Sequence, residues 1–311
     1  MARIVFMGTP DFALPSLRSL LSHHQVVGVV TQPDRPAGRG RSLRKSAVKK
    51  LAEESEIDVY QPATLRQEES IERLRSWQAE VIVVAAFGQL LPEVVLEIPA
   101  AGAVNVHGSL LPRWRGASPI QYAILAGDRE SGVSLMKMDP GLDTGPVFVQ
   151  ERLEIGARET ASELHDKLAE LGGKMLADHL ETIIKGRLKA KPQDETLATY
   201  APQVKKGAGL IDWEESSVEI DRQIRAMTPW PGAFTSWKGK NLKVLDAKPV
   251  HWEGVSKGLP GQVVQNRGAV VVLTGGGALE LVEVQLAGKR AAQIEEFLRG
   301  RPDFLGSQVG I

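Results

Sequence analysis

The feature that most constrains this chain is the alternation of apolar strand patterns with amphipathic helix patterns over its first half. Strand patterns at Arg3–Met7 and Val26–Thr31 flank a helix pattern at Asp11–Leu21. Farther along, Val81–Ala86 is apolar at every position, which is typical of a strand covered on both faces. The alternation predicts an α/β fold: a Rossmann-like, mostly parallel sheet with helices on both faces. Such sheets bind ligands at the carboxyl ends of their strands.

The same periodicities predict the remaining elements and a division into domains. Further helix patterns lie at 46–55, 66–77 and 160–185, and further strand patterns at 103–107, 131–138 and 146–150. Short strand patterns crowd the stretch from 233 to 284, with helix patterns at 217–227 and 293–298. Closely spaced short strands predict a small, OB-like β-barrel. We therefore predict an N-terminal domain over 1–188, an aperiodic linker rich in Lys and Pro over 189–206, and a β-barrel domain over 207–311.

Composition excludes several chemistries. The chain has no cysteine, so disulfides, thiolate nucleophiles and thiolate-bound zinc are ruled out. Its histidines show no metal-binding spacing, and we expect no metal. Lys plus Arg and Asp plus Glu both number 38, so any affinity for nucleic acid must come from local patches. Because no signal-peptide pattern and no run near ~20 apolar residues occurs, we expect a cytoplasmic protein without membrane contact.

A polar pair ends one of the predicted strands. Strand Ala103–His107 places Asn105 and His107 on the same face, because strand side chains alternate. Asparagine can donate to a developing oxyanion, and histidine transfers protons near neutral pH. Asp143, in the glycine-bearing loop Asp139–Gly145, is the candidate carboxylate to orient the imidazole. Each piece alone also occurs as an ordinary strand end or turn, so the residue types permit catalysis without specifying it.

A basic block follows the second predicted strand. Residues 31–50 contain seven basic residues and one acidic residue, Asp34. In a chain of zero net charge, such a block is a candidate phosphate-binding surface. The alternative is a solvated loop without a ligand. The basic residues are Arg35, Arg39, Arg41, Arg44, Lys45, Lys49 and Lys50.

Two segments closely resemble the signature of the folate-dependent formyltransferases. The first is Asn105–Pro119, and the second is Gly141–Gly145. The opening run Gly8–Ala13 and the loop Gln32–Arg41 are similar to the branch of this family that formylates the methionine carried by initiator tRNA. The resemblance extends over essentially the whole chain, including the C-terminal part with Met227–Pro231.

The resemblance implies a donor, an acceptor and a set of site residues. It makes Asn105, His107 and Asp143 catalytic, with 10-formyltetrahydrofolate as donor and initiator methionyl-tRNA as acceptor. The implied folate contacts are Ser109, Leu110, Leu111, Pro112, Phe87, Gly88 and Leu90. The expected tRNA contacts are Arg35, Arg39, Arg41, Arg44, Lys45, Lys205 and Lys206. We expect a monomer whose C-terminal domain docks the tRNA.

Three other functions stay open at the level of sequence. The same chemistry would formylate a nucleotide-linked amino sugar, although the basic loop and the C-terminal domain favour tRNA. With water in place of the amine, the same side chains would hydrolyse formylfolate, but relatives of that kind carry a different extra domain. A non-catalytic RNA-binding module would leave the Asn, His and Asp without a purpose. Turnover of formylfolate in the presence of charged tRNA separates these functions.

Overall fold

The computed structural model describes residues 1–37, 42–250 and 258–310, with the side chains of Pro36, Ala37 and Ser42 left aside. The chain divides into two compact units. The first unit comprises Met1–Pro119, Glu130–Glu154 and Leu164–Pro202. The second comprises Ile120–Arg129, Ile155–Glu163 and everything from Gln203 onward. Arg39 and Arg41, both expected tRNA contacts, lie outside the described residues.

Strands and helices alternate up to residue 202, as the periodicity predicts. The strands are β1 (Arg3–Gly8), β2 (Gln25–Val30), β3 (Arg35–Ala37), β4 (Ser42–Arg44), β5 (Val59–Tyr60), β6 (Val81–Ala85), β7 (Ala103–His107), β8 (Glu130–Lys137) and β9 (Val147–Glu154). The helices are α1 (Leu14–His23), α2 (Ala47–Glu54), α3 (Glu68–Ser76), α4 (Glu93–Leu96), α5 (Pro119–Ala126) and α6 (Ala161–Ile184). The helix expected from Asp11 begins as a 3-10 turn, Asp11–Ala13, because Pro15 suits only the first turn of the α-helix that follows.

The main sheet has the order β5-β2-β1-β6-β7-β8-β9. Strands β5, β2, β1, β6 and β7 are parallel, and β8 and β9 join antiparallel, which confirms the predicted mostly parallel sheet. The chain moves outward from β1 to β2 and β5, then returns to β6 on the other side of β1. The order of strands therefore reverses between β1 and β6. Ligands of open α/β sheets bind in the crevice outside such a reversal.

Both faces of this sheet are covered. Ile82 and Val84 of β6 pack on one face, in an apolar cluster with Leu74 of α3 and Val95 of α4. On the other face, α6 approaches β7 so closely that a Cβ on Gly172 would lie 2.6 Å from Cγ1 of Val106. Alternating side chains of a central strand reach both layers, so β6 must be apolar throughout. Helices on both faces were predicted and are confirmed.

The second unit contains a separate antiparallel sheet. Its strands are β10 (Ala233–Trp237), β11 (Lys240–Val250), β12 (Val263–Asn266), β13 (Ala269–Leu273), β14 (Ala278–Leu286) and β15 (Ala292–Gln293). The order is β10-β11-β14-β13-β12, with β15 pairing β14, and the helices are α7 (Ser217–Ala226) and α8 (Ile294–Arg299). A capping box of Ser216 and Glu219 starts α7. The core of the second unit includes edge-to-face contacts among Trp237, Phe297 and Phe304. The separate C-terminal β domain that was predicted is thus confirmed as an antiparallel sheet, and its closure into an OB-like barrel stays a prediction.

Over the described ranges, no helix combines the length and the apolar character needed to cross a membrane.

Candidate active site

Asn105 and His107 lie at the carboxyl end of β7, beside the reversal point of the sheet. Every residue of β7 is buried. The intervening residue Val106 points to the opposite face, against α6. The strand therefore presents its two polar side chains together, as predicted from alternation. The structure also brings the third expected residue to them.

The Asp143 carboxylate is held beside this pair by three neighbours. Asn105 donates Nδ2–H to Oδ1 at 3.4 Å, and Nδ1 of His107 lies 3.7 Å from Oδ2. The backbone N–H of Gly116 donates to Oδ2 at 2.8 Å. Asp143 has φ of +54°, a left-handed conformation that is uncommon outside glycine. Such conformations persist only where the surroundings hold them, and they cluster at functional sites.

The imidazole of His107 has one proton fixed by the main chain. Its Nε2 lies 3.0 Å from the carbonyl oxygen of Trp114. A carbonyl only accepts hydrogen bonds, so Nε2 carries a hydrogen. Nδ1 is then the nitrogen that faces Asp143. The two ring nitrogens therefore differ: Nε2 is hydrogen-bonded to the main chain, and Nδ1 is the one that can exchange a proton.

The loop after β7 is held from below by side chains of β8 and β9. Ser134 donates from Oγ to the carbonyl of Ser109 at 2.6 Å and accepts from the backbone N–H of Leu111 at 3.1 Å. Gln150 donates Nε2–H to the carbonyl of Leu111 at 2.9 Å. Ser109 itself is buried and donates to the carbonyl of Arg113 at 2.6 Å. The hydroxyl of Ser109 is thus used within the loop, whereas Leu110 and Pro112 are partly exposed.

The other expected folate segment follows β6. Phe87 is buried in the apolar cluster under the sheet, and its carbonyl accepts from Thr9 Oγ1 at 3.2 Å and Gln32 Nε2 at 3.3 Å. Gly88 has φ of +83° and is exposed. Leu90 exposes 61% of its surface. Phe87 therefore anchors this loop, while Gly88 and Leu90 present it to solvent.

Sequence reasoning missed a buried arginine that supports the site. Arg115 is fully buried, and its guanidinium donates to Gln193 Oε1 at 2.8 Å and to both carboxylate oxygens of Glu195 at 2.7 and 2.8 Å. The hydrogen bond with Arg115 lowers the pKa of Glu195 and raises the pKa of Arg115. Gln193 and Glu195 fall in the stretch expected to be a linker. Because that stretch lacks periodicity, the sequence pattern gave no indication of these contacts.

A basic cleft opens at the reversal point of the sheet. It has a volume of about 830 Å³ and is lined by Thr9 and Pro10 after β1, Gln32 after β2, and Ala86 to Gly88 after β6. Its basic lining residues are Arg18, Arg35, Arg44, Lys45 and Lys50. Three of the expected tRNA contacts thus line the same cleft: Arg35, Arg44 and Lys45.

Two lysines of the basic block, one of which lines the cleft, form ion pairs with nearby carboxylates. Lys49 donates to Asp34 at 2.7 Å, and this hydrogen bond lowers the pKa of Asp34. Lys45 pairs with Glu53 at 2.6 Å, which raises the pKa of Lys45. Lys205 and Lys206 are exposed at the start of a 3-10 helix in the second unit. In the part of the chain that the structure describes, no three His, Asp or Glu side chains are grouped to hold a metal ion.

Comparison with known sequences identifies related proteins. The chain matches the family described as Formyl transferase over residues 2–180 and the one described as Formyl transferase, C-terminal domain over residues 203–302. A protein of Magnetococcus marinus named Methionyl-tRNA formyltransferase is 47% identical over 310 residues, which cover 99% of this chain and 98% of that protein. A protein of Dechloromonas aromatica with the same name is 44% identical over 310 residues, 99% of each.

Solved structures share the fold at lower identity. An N-formyltransferase from Helicobacter canadensis, solved with folinic acid and dTDP-3-aminofucose, gives a TM-score of 0.67 at 20% identity, covering 90% of this chain and 99% of that one. HypX from Aquifex aeolicus, solved with tetrahydrofolic acid, gives 0.62 at 19% identity, covering 96% of this chain and 47% of HypX. The chain thus spans about half the length of HypX. These structures share the fold of this chain.

Proposed function

Because the chain belongs to the formyl transferase family, we propose that it transfers the formyl group of 10-formyltetrahydrofolate to the α-amino group of methionine on initiator methionyl-tRNA. One observation carries the proposal: Asn105, His107 and Asp143 converge at the carboxyl end of β7. The relatives of similar length that bear the name Methionyl-tRNA formyltransferase support the choice of acceptor.

The chemistry follows from what each side chain offers. The amine attacks the formyl carbon, a C–N bond forms, and negative charge develops on the former formyl oxygen. Asn105 gives one amide hydrogen to Asp143 and has a second for that oxygen. Loss of one such donor commonly costs ~10²–10³ in rate. Collapse then breaks the bond from the formyl carbon to the folate nitrogen, which receives the proton that the amine loses.

His107 and Asp143 serve the proton transfer. The Nε2 hydrogen of His107 is directed to the Trp114 carbonyl. The proton that the reaction moves is therefore exchanged at Nδ1, which lies 3.7 Å from Asp143. The Asp143 carboxylate faces that side of the ring and can stabilise positive charge that develops on it during the reaction. Asp143 in turn is oriented by Gly116 and Asn105. We assign His107 the proton transfer and Asp143 the orientation of the ring.

The exposed loops around this site suit a folate donor. Leu90, after β6, and Leu142, beside Asp143, expose 61% and 49% of their surfaces. Exposed leucines next to polar backbone are the lining expected for an aromatic ligand with hydrogen-bonding edges. We assign the donor to Gly88, Leu90, Leu110, Pro112 and Leu142. The buried Ser109, Leu111 and Phe87 shape these loops from beneath.

The basic cleft supports an acceptor with a phosphate backbone. Its walls combine arginines and lysines with the loop ends after β1 and β6, where an α/β sheet binds ligands. Phosphates are bound through such cationic surfaces, which also make affinity salt-dependent. We assign Arg35, Arg44 and Lys45 to tRNA phosphates at this cleft. We assign Lys205 and Lys206, on the second unit, to tRNA phosphates of their own. Arg39 and Arg41 complete the proposed set. We further propose that the protein works as a monomer in the cytoplasm, where translation begins.

The experiment that tests this function follows radiolabelled formyl from 10-formyltetrahydrofolate to three acceptors: charged initiator tRNA, charged elongator tRNA and water. Label on the initiator species alone supports the proposal. Label released as formate indicates a hydrolase. Absence of turnover with all three acceptors overturns the proposed acceptor and directs the search to amino sugars linked to nucleotides.

A further inference from the structure

Gln193 touches the catalytic loop through both hydrogens of its side-chain amide. Its Nε2 donates to the carbonyl of Asp143 at 2.8 Å and to the carbonyl of Gly145 at 2.7 Å. Its Oε1 accepts from Nε of Arg115 at 3.0 Å and from Nη2 of the same guanidinium at 2.8 Å. Both hydrogens of this amide thus bind the Asp143 loop, and its oxygen binds the guanidinium of Arg115.

The orientation of this amide is dictated by its neighbours. A guanidinium only donates, so it must face the oxygen of Gln193. The two backbone carbonyls only accept, so they must face the nitrogen. Arg115 is in turn fixed by Glu195 and by backbone bonds to Thr199 and Ala201. The amide is therefore a rigid bridge between a buried cation and the loop that carries Asp143.

That bridge acts where the backbone needs support. Asp143 is in the left-handed conformation, with φ of +54°. Such a conformation is strained in a residue other than glycine and requires surrounding contacts to hold it. Gln193 grips the carbonyls on both sides of Thr144, while Gly116, the residue after Arg115, holds the carboxylate itself. Arg115 and Gln193 together thus determine where the carboxylate lies relative to His107.

We propose that Gln193 is a positioning residue for the reaction: it holds the Asp143 loop so that the carboxylate faces His107, without touching substrate. The proposal rests on the proposed formyl transfer and adds to it a catalytic-site role for Gln193, in the stretch expected to be a linker. A displacement near 1 Å at a reacting group can cost ~10²-fold in rate. The effect belongs to kcat and not to tRNA binding, because the tRNA contacts assigned above include neither Gln193 nor the loop that carries Asp143.

The test uses Gln193→Glu, which keeps an acceptor for Arg115 but removes both hydrogens that grip the loop. Gln193→Leu is the second variant, and Asp194→Asn is the matched control. Asp194 is the exposed neighbour, and its carboxylate accepts within its own turn, from the N–H and hydroxyl of Thr196. We expect kcat to fall about 10- to 100-fold in both Gln193 variants, with KM for the tRNA within about twofold of wild type. Asp194→Asn should match wild type.

A second measurement separates this proposal from the proposed function. The ¹³C–¹H ring signal of His107, identified by its absence in His107→Ala, should move in Gln193→Glu and stay in place in Asp194→Asn. Wild-type protein that transfers no formyl would overturn the proposed function, and the His107 signal would still decide the role of Gln193. An unmoved His107 signal, or a folded Gln193→Glu protein with wild-type kcat, would overturn the positioning role.

Discussion

The backbone N–H of Gly116 donates to Oδ2 of Asp143 at 2.8 Å, across 27 positions of sequence. This hydrogen bond joins the segment after β7 to the loop before β9. The same carboxylate accepts from Asn105 and faces His107. The two signature segments therefore meet at the side chain of Asp143.

Removing the charge of Asp143 should slow catalysis without unfolding the site. Asp143→Asn keeps an oxygen for the N–H of Gly116 but leaves His107 without an anionic partner. We expect kcat to fall by ~10²–10³ while the Kd of the folate donor stays near the wild-type value. Steady-state transfer and donor titration measure the two effects. Glu130→Gln, a change at an exposed carboxylate on β8, serves as control. A kcat equal to that of the control would remove Asp143 from the mechanism.

Gly145 lies where no side chain fits. A Cβ at this position would stand 1.9 Å from the carbonyl oxygen of Lys137. Because backbone cannot move aside as a flexible side chain does, Gly145→Ala should destabilise the fold by ~1–3 kcal/mol and displace Asp143. Urea denaturation and the transfer assay report the two changes. Gly300→Ala, whose Cβ would meet nothing closer than 3.9 Å, should have neither effect. Equal stability of the two variants would contradict this close packing.

The basic cleft should bind phosphate through Arg44 more strongly than through Lys45. Arg44, on β4, and Lys45 both line the cleft, but Lys45 is already paired with Glu53. We expect Arg44→Ala to raise KM for the tRNA and to reduce the salt dependence of binding by about one phosphate contact. Lys45→Ala should change both less. Arg66→Ala, at an exposed arginine outside the cleft, is the control. A salt slope that is the same in Arg44→Ala and Arg66→Ala would argue against tRNA in this cleft.

The ion pair between Glu195 and Arg115 should make stability pH-dependent at the acid end. The hydrogen bond from Arg115 lowers the pKa of Glu195, so this carboxylate contributes stability above its unfolded pKa of about 4.3. That contribution is lost as the pH falls through the lower folded-state pKa. Glu195→Gln should therefore have a lower Tm than wild type at pH 7. The difference should shrink progressively below about pH 4.3. Thermal melts from pH 7 to pH 3 that keep a constant difference would exclude this linkage.

The sequence predicted the parts of the fold that depend on periodicity. Strand β7 has the bounds expected from its apolar pattern, and α2 begins just after its N-cap, Ser46. The proximity of Asn105 and His107 follows from alternation alone. Asp143 was a candidate from its residue type and its loop, and the resemblance made it catalytic. No local pattern shows that a loop 38 positions from Asn105 returns to it.

The supporting contacts were harder to foresee. Gln193 and Glu195 bind carbonyls and a guanidinium, and such contacts leave no periodic trace in the sequence. Lys49 counted as a free positive charge until the structure paired it with Asp34. Only the structure shows that Arg115 is buried, and a guanidinium that leaves water needs partners such as Gln193 and Glu195.

The most direct test of the central claim is the single-turnover rate of formyl transfer to charged initiator tRNA, compared between wild type and His107→Ala at saturating enzyme. The structure places His107 between Asp143 and the Trp114 carbonyl, with no role in assembling the basic cleft. We predict that the rate falls at least ~10²-fold while tRNA and donor affinities stay near wild type. A single-turnover rate in His107→Ala within a few-fold of wild type would contradict the assignment of this site as the centre of formyl transfer.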